Sequence, residues 1–232
     1  MTQPITLLDS NKHGDLKIGK VDFSHLADQH IVPVTLHEIG RAAIDYPVVF
    51  VKNSETGEFQ SVAMLGLKLG QNLMVKDGQW QSLYLPHVVR DYPLGLVLNP
   101  DDKERVWIGI REASSAVGTE EGEALFNGTE ETEYLAARKN ALIEHFQQDQ
   151  ASRALVKVLA ELDLFLPQTL TVEVKGEKRN INGIYLINEA KLNDLSDEQF
   201  SDLRKRGLLA PIFSHLTSLG QINRLARTEA QA

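Results

Sequence analysis

The stretch NLMVKDGQWQSLYLPHVVRDYP, residues 72–93, gathers Asn72, Trp80, Tyr84, His87, Arg90 and Tyr92. An imidazole titrates near neutral pH and serves as acid or base. Aromatic rings with a polar tip suit a partly desolvated binding surface. Read as a strand, residues 80–85 turn Trp80, Ser82 and Tyr84 to one face and Gln81, Leu83 and Leu85 to the other. Both rings then stand beside a helix start that carries His87. The competing reading puts Trp80 and Tyr84 in the core with their polar tips hydrogen-bonded.

Other motifs are weaker. The chain has no cysteine, which removes thiol catalysis, Cys-ligated zinc, iron–sulfur clusters and disulfides. His25, His30 and His37 are close in sequence, but His37-Glu38 cannot open a metalloprotease helix, because position 41 is Arg41. Gly66 to Gly70 lacks the spacing of a phosphate cradle, and no G-x-S-x-G elbow occurs. Ser114-Ser115 reads as a solvated turn. The acidic pairs Asp101-Asp102, Glu120-Glu121 and Glu130-Glu131 read as solvated loops. No catalytic residue, metal ligand or cofactor site is assigned from these patterns.

A net charge of −8 disfavours nucleic acid. The densest cations are Lys175, Lys178 and Arg179, then Arg204, Lys205 and Arg206, and neither group carries interleaved aromatics. The N-terminal residues lack a secretory pattern, and no window reaches the ~20 apolar residues of a membrane span. The expected location is cytoplasmic.

The positioning elements follow from local chemistry. Residues 1–34 are turn-rich and read as an irregular arm. Thr35 with Glu38 reads as a capping box opening a helix with Leu36, Ile39, Ala43 and Ile44 inward. Asp-Tyr-Pro occurs at Asp45 and again at Asp91, at an offset of 46 residues. A residue before proline is pushed out of the α region, so each copy ends a helix and starts a hairpin: Val48–Val51 with Phe59–Leu65, and Leu94–Leu98 with Val106–Ile110. The same offset pairs Val51 with Val97, Asn53 with Asn99 and Glu58 with Glu104. Both hairpins are expected in one shared β-layer, with turns at Asn53–Gly57 and Asn99–Asp102. Asp77-Gly78 signals a third hairpin between Leu73–Val75 and Trp80–Leu85. Residues 131–162 read as helix, with Leu135, Leu142, Ile143 and Phe146 inward, then Leu155, Val158, Leu159 and Leu162. Pro167 ends that region. Thr169–Val174 and Ile181–Ile187 form a further hairpin. Ser196 with Gln199 caps a helix that Gly207 ends, and Leu208–Arg227 forms one helix or two. The class is α+β: mainly antiparallel sheet with packed helices and a helical C-terminal end. Residues 1–232 are expected as a single domain with two lobes, 1–128 sheet-rich and 129–232 helix-rich with a hairpin.

An ordered set of residues resembles the bacterial SapC family along nearly the whole chain. It includes Val32-Pro33, Glu38, Tyr46-Pro47-Val48-Val49-Phe50, Leu65-Gly66 and Gln71-Asn72-Leu73. Trp80, Tyr84-Leu85-Pro86, Arg90-Asp91-Tyr92-Pro93 and Gly122-Glu123-Ala124-Leu125-Phe126 follow. Gly183-Ile184-Tyr185, Leu203, Gly207-Leu208-Leu209, His215-Leu216 and Ser218-Leu219 complete it. The resemblance implies a surface-array or resistance context, and a gene neighbourhood of halogenase-like proteins, cupin-type oxygenase-like proteins and TonB-dependent receptors. It supplies no catalytic residue. The favoured reading is a non-catalytic accessory protein recognising a peptide or a partner protein, such as a halogenase-like or oxygenase-like enzyme. The alternative is an enzyme acting on a peptide or small molecule near His87 and Arg90. A surface-layer structural protein is the third reading.

Overall fold

The computed structural model describes residues 3–98 and 106–231. In chain order the early elements are β1 (Thr6–Leu7), α1 (Ser10–His13), β2 (Lys17–Ile18), β3 (Ile31–Pro33), α2 (Ile39–Ala42), β4 (Val48–Lys52), β5 (Phe59–Met64), β6 (Val75–Lys76) and β7 (Gln79–Trp80). The middle holds α3 (His87–Arg90), β8 (Leu94–Leu98), β9 (Val106–Ile110), β10 (Val117–Gly118), β11 (Glu123–Ala124), β12 (Phe126–Asn127), β13 (Glu130–Glu131) and α4 (Glu133–Glu161). The chain closes with β14 (Phe165–Val174), β15 (Glu177–Ile187), α5 (Glu189–Asn193), α6 (Asp197–Lys205), α7 (Leu209–Ser218) and α8 (Gln221–Gln231). Every strand pair among the described residues is antiparallel, so the fold is α+β. No described helix is long and apolar enough to cross a membrane.

The chain divides into two compact units. Residues up to Phe23 with His87–Gln147 form the first; Ser24–Pro86 with the residues from Gln148 onward form the second. This grouping differs from a split at residue 128. Strands far apart in sequence pair within each unit, and each unit draws on both halves of the chain.

In the first unit, β8 and β9 pair and β1 adds to β9, giving the order β1-β9-β8. A second small sheet runs β10-β2-β11. Residues 1–34 are thus not an irregular arm: Thr6–Leu7 and Lys17–Ile18 are strands here, and Ile31–Pro33 is an edge strand of the second unit. Pro33 tolerates an edge because it has no N–H to leave unpaired. The core joins Ile18, Leu94, Ile110, Leu125 and Phe126 to Leu135 and Leu142 of α4. Leu135 and Leu142 lie two helical turns apart, on one face. Ile143, expected inward, is 39% exposed, since one further residue rotates it away from that face.

The second unit holds a five-stranded sheet ordered β14-β15-β4-β5-β3. The two Asp-Tyr-Pro hairpins therefore lie in separate sheets rather than one layer. Each buries its own apolar set: Leu94 and Ile110 in the first unit, Val48, Val49 and Phe50 in the second. Both tripeptides do end a helical segment and launch a strand, and Tyr92-Pro93 is cis. Asn53 closes its turn by accepting from the N–H groups of Glu55 and Thr56, and Gly57 takes φ +74°. The matching turn at Asn99–Asp102 lies outside the described residues, as do Glu104 and the Asp101-Asp102 pair.

Three further expectations change. The Thr35 hydroxyl donates to Glu38 Oε2 at 3.0 Å instead of capping an N–H, while the Thr35 N–H donates to the same oxygen at 2.9 Å. The helix that follows is one turn long, so Ala42 is buried and Ile44 is 62% exposed. The Asp77-Gly78 turn forms with both φ angles positive, but its strands hold two residues each. Residues 81–86 leave the ladder because the Tyr84 N–H is donated to the Asp45 carboxylate at 2.7 Å. Pro167 lies inside β14, an outer strand whose register shifts between Gln168 and Leu170. The C-terminal part matches its signals: Ser196 and Gln199 form the capping box, Gly207 takes φ +73°, and the last segment is two helices, α7 and α8.

The join between β15 and β4 is short, with only Ile184↔Val51 and Tyr185↔Phe50 paired. Where the ladder would continue to Val48 and Ile187, α7 inserts His215. Its Nδ1 donates to the Val48 carbonyl at 2.7 Å, and its Nε2 accepts from the Ile187 N–H at 3.2 Å. Ser218 Oγ accepts from the Val48 N–H at 2.9 Å. His215 is fully buried, and its ring lies edge-on to Phe50 at 5.1 Å. Burial lowers its pKa from 6.5 to about 4, against an opposing hydrogen bond to Val48. The unfolded chain thus binds this proton more readily than the folded one between pH 6.5 and 4. Stability contributed here is fully present above pH 6.5 and is lost as pH falls to about 4, by roughly 3 kcal/mol at 1.36 kcal/mol per unit. We expect urea midpoints, followed by Trp80 fluorescence in a Trp107→Phe background, to fall across this window. The same measurement on His215→Gln should remove most of that slope.

Candidate functional site

The sequence candidates are divided between the units: Asn72, Trp80 and Tyr84 belong to the second, His87, Arg90 and Tyr92 to the first. Within the second unit, Trp80 and Tyr84 are half-buried and engaged. Trp80 Nε1 donates to the Tyr46 hydroxyl at 2.9 Å and to the Tyr84 carbonyl at 3.3 Å. The Tyr46 hydroxyl in turn donates to that carbonyl. The Tyr84 hydroxyl donates to Glu38 Oε1 at 2.8 Å. Asp45, 2% exposed, holds the Tyr84 N–H on one oxygen and the Arg224 guanidinium on the other, at 2.8 Å. Buried carboxylates need such partners, because an uncompensated buried charge is costly. Burial pushes the Tyr46 phenol up to about 12, opposed in part by hydrogen bonds to Ser82 and Trp80. It stays a neutral donor at any working pH. Asn72 is also spoken for locally, donating to the Leu26 carbonyl at 3.0 Å and accepting from the Met74 N–H at 2.8 Å.

Within the first unit, His87 and Arg90 lie on α3, and Asp91 and Tyr92 follow it. His87 meets His145 of α4 edge to face, with ring centroids 5.2 Å apart. His145 Nδ1 hydrogen-bonds Asp91 Oδ2 at 2.7 Å. The Arg90 carbonyl accepts from Arg138 at 2.7 Å. Tyr92 donates its hydroxyl to Gln3 at 2.9 Å and lies under the Arg111 guanidinium. A second tie sits at Glu112, whose Oε1 accepts from Lys12, Thr6 and His13. Those hydrogen bonds, Lys12 first, hold its carboxyl down at about 2. The sequence marked Asp91 as the start of a helix exit, but neither it nor His145 was among the candidate site residues. His145 stands 54 residues beyond Asp91, and no spacing rule links them.

Four cavities of about 370 to 510 Å³ open within one unit or the other, and none of the six candidate residues lines any of these four. The largest, about 510 Å³, lies in the second unit. Its floor is Val49, Val51 and Met64; one wall is the loop carrying Leu67, Lys68 and Leu69; the other is β15 from Arg179 to Ile184. Val49, Val51, Met64 and Ile31 share one sheet face by register. Leu69 is 81% exposed at the rim. Arg179 reaches Glu229 of α8 at 2.8 Å, and Lys68 approaches the same carboxylate at 3.7 Å. Burial alone raises the Glu229 pKa, but hydrogen bonds from Arg179 and Gln71 win and leave it below its ordinary value. Two cations against one carboxylate leave this rim net positive. Because β15 pairs with β14 along its length but with β4 only at Ile184 and Tyr185, Glu177–Gly183 have no strand partner on the cavity side among the described residues.

The SapC family model matches residues 8–225, so the chain belongs to the SapC family. Comparison with curated proteins returns no match, and neither does comparison with solved structures.

The network around Tyr46 makes one clear demand. Tyr46→Phe removes a fully buried hydroxyl that both donates and accepts, and takes from the Trp80 N–H its 2.9 Å acceptor. We expect a loss of about 1–2 kcal/mol in urea unfolding, with an unchanged slope. An unchanged midpoint means the hydroxyl network carries no stability.

Proposed function

We propose that this SapC-family chain is a non-catalytic accessory protein of the cytoplasm that captures an extended segment of a partner protein along β15. One observation carries the reading: seven consecutive residues of β15, Glu177–Gly183, overhang β4, and Arg179–Gly183 among them border an apolar groove. Strand addition to an open edge draws affinity from main-chain hydrogen bonds and specificity from side-chain pockets. At ~3.3 Å per residue the overhang spans about 20 Å, the length of a short peptide strand. The apolar floor favours a segment with aliphatic side chains on alternate positions. The net positive rim at Lys68 and Arg179 favours an acidic residue at one end. The halogenase-like and oxygenase-like enzymes implied by the family resemblance are the first partners to test.

The test uses affinity capture from native lysate with mass spectrometry, wild type beside Leu69→Asp. Leu69 is exposed, so this change should move stability by less than about 0.5 kcal/mol. A partner retained by wild type and lost from Leu69→Asp supports the groove. A synthetic segment of that partner should then slow amide exchange at Arg179–Gly183. Equal retention by both proteins, or no change in exchange there, removes this reading.

A further inference from the structure

The first unit carries a second arrangement, independent of the groove. His87, at the start of α3, and His145, inside α4, each present a ring nitrogen, and these lie within 4.8 Å of one another. Both side chains are half-buried. Asp91 is 7% exposed and holds His145 through Nδ1 at 2.7 Å. Asp91 is itself fixed, its N–H donating to the His87 carbonyl at 2.9 Å. The five residues His87–Asp91 therefore supply both the His87 ring and the carboxylate that orients the other ring.

A neutral imidazole that donates from Nδ1 keeps its lone pair on Nε2. A carboxylate on the far nitrogen is what ligating histidines commonly have: it sets the tautomer, fixes the ring and makes the free nitrogen more basic. Metal–imidazole bonds of about 2.0–2.1 Å hold two such nitrogens roughly 3.0–3.4 Å apart. Two imidazoles with no thiolate suit zinc, nickel, cobalt or ferrous iron, and disfavour magnesium and calcium, which prefer oxygen.

We propose that His87 and His145, oriented by Asp91, bind a first-row divalent transition-metal ion, leaving its remaining positions open to water or a small oxygen ligand.

The probes are Zn²⁺ by titration calorimetry and Co²⁺ by visible absorption, on the full chain. Saturable binding of one ion per chain is expected, with Mg²⁺ unable to compete. His87→Ala and His145→Ala should each weaken it at least tenfold. Asp91→Asn, which keeps both ligands, should weaken it about 10- to 100-fold. Imidazole nitrogen shifts in the wild-type protein avoid any reliance on folded variants: Zn²⁺ should move His87 and His145 first. No saturable binding, shifts confined to His25, His30 or His37, or affinity unchanged in both alanine variants would each overturn the site. Tight binding that Asp91→Asn leaves untouched overturns the orienting role.

Discussion

The second unit depends on one buried imidazole used as a piece of backbone. β4 comes from the first half of the chain and β15 from the second, and they share only two paired positions. Two pairs are little to join distant segments against the loop entropy of bringing them together. His215 supplies the missing rung by donating to Val48 and accepting from Ile187, and Ser218 satisfies the Val48 N–H. An alanine there would take the Ile187 N–H's partner away and leave the Val48 carbonyl the longer 3.4 Å contact from the Ser218 hydroxyl, a substantial penalty. The imidazole must be neutral to do both jobs, since the charged ring has two donors and no acceptor. The short join has a second consequence at its other end. β4 turns away at Asn53 while β15 continues, so the hairpin overhangs and its inner edge has no strand partner among the described residues.

The two Asp-Tyr-Pro copies share a device and differ in its use. Each aspartate sits at a helix exit, is nearly or fully buried, and must find a partner before the chain turns into a strand. Asp45 takes the Tyr84 N–H and Arg224, tying two distant segments to the entry of β4. Asp91 takes His145 and so ties α4 to the entry of β8. The first pairing is between full opposite charges and serves to hold structure. The second leaves an imidazole oriented by a carboxylate, which is a chemical resource as well as a tie. Local sequence identity thus fixes the local backbone but not the role, because the partner arrives from elsewhere in the chain.

That is also the boundary of what the sequence made legible. Signals confined to a few residues were read well: the proline exits, the Asn53 and Asp77-Gly78 turns, the Ser196 capping box and the Gly207 stop all appear as chemistry dictates. Features set by distant pairing were not. Strand lengths at residues 73–85 failed because Asp45 draws the Tyr84 N–H out of the ladder. The shared β-layer failed because β1 and β15, which no local signal places, complete the two separate sheets. Leu159 and Leu142 were legible as core by periodicity, but Ile143 was not separable from its neighbour by hydrophobicity alone. The cluster of Asn72, Trp80, Tyr84, His87, Arg90 and Tyr92 is close in sequence, yet the cavity residues come from four stretches between residues 30 and 184.

The energetics separate these two surfaces. A ligand that competes for the Trp80 N–H must break its bond to Tyr46 and leave a buried hydroxyl without that partner. A ligand that competes for the Tyr84 hydroxyl must take it from Glu38, a carboxylate 2% exposed. Each exchange trades one protein hydrogen bond for another and adds a desolvation penalty, so little net affinity remains. A strand added to Glu177–Gly183 breaks no β-ladder bond among the described residues, because the ladder described there runs to β14. It exchanges bonds to water for bonds in a partly dry groove and covers Leu69, whose exposure already incurs a hydration cost. The aromatic residues near Asp77-Gly78 are therefore better suited to holding the second unit's shape, which is why the proposed docking strand is the overhang.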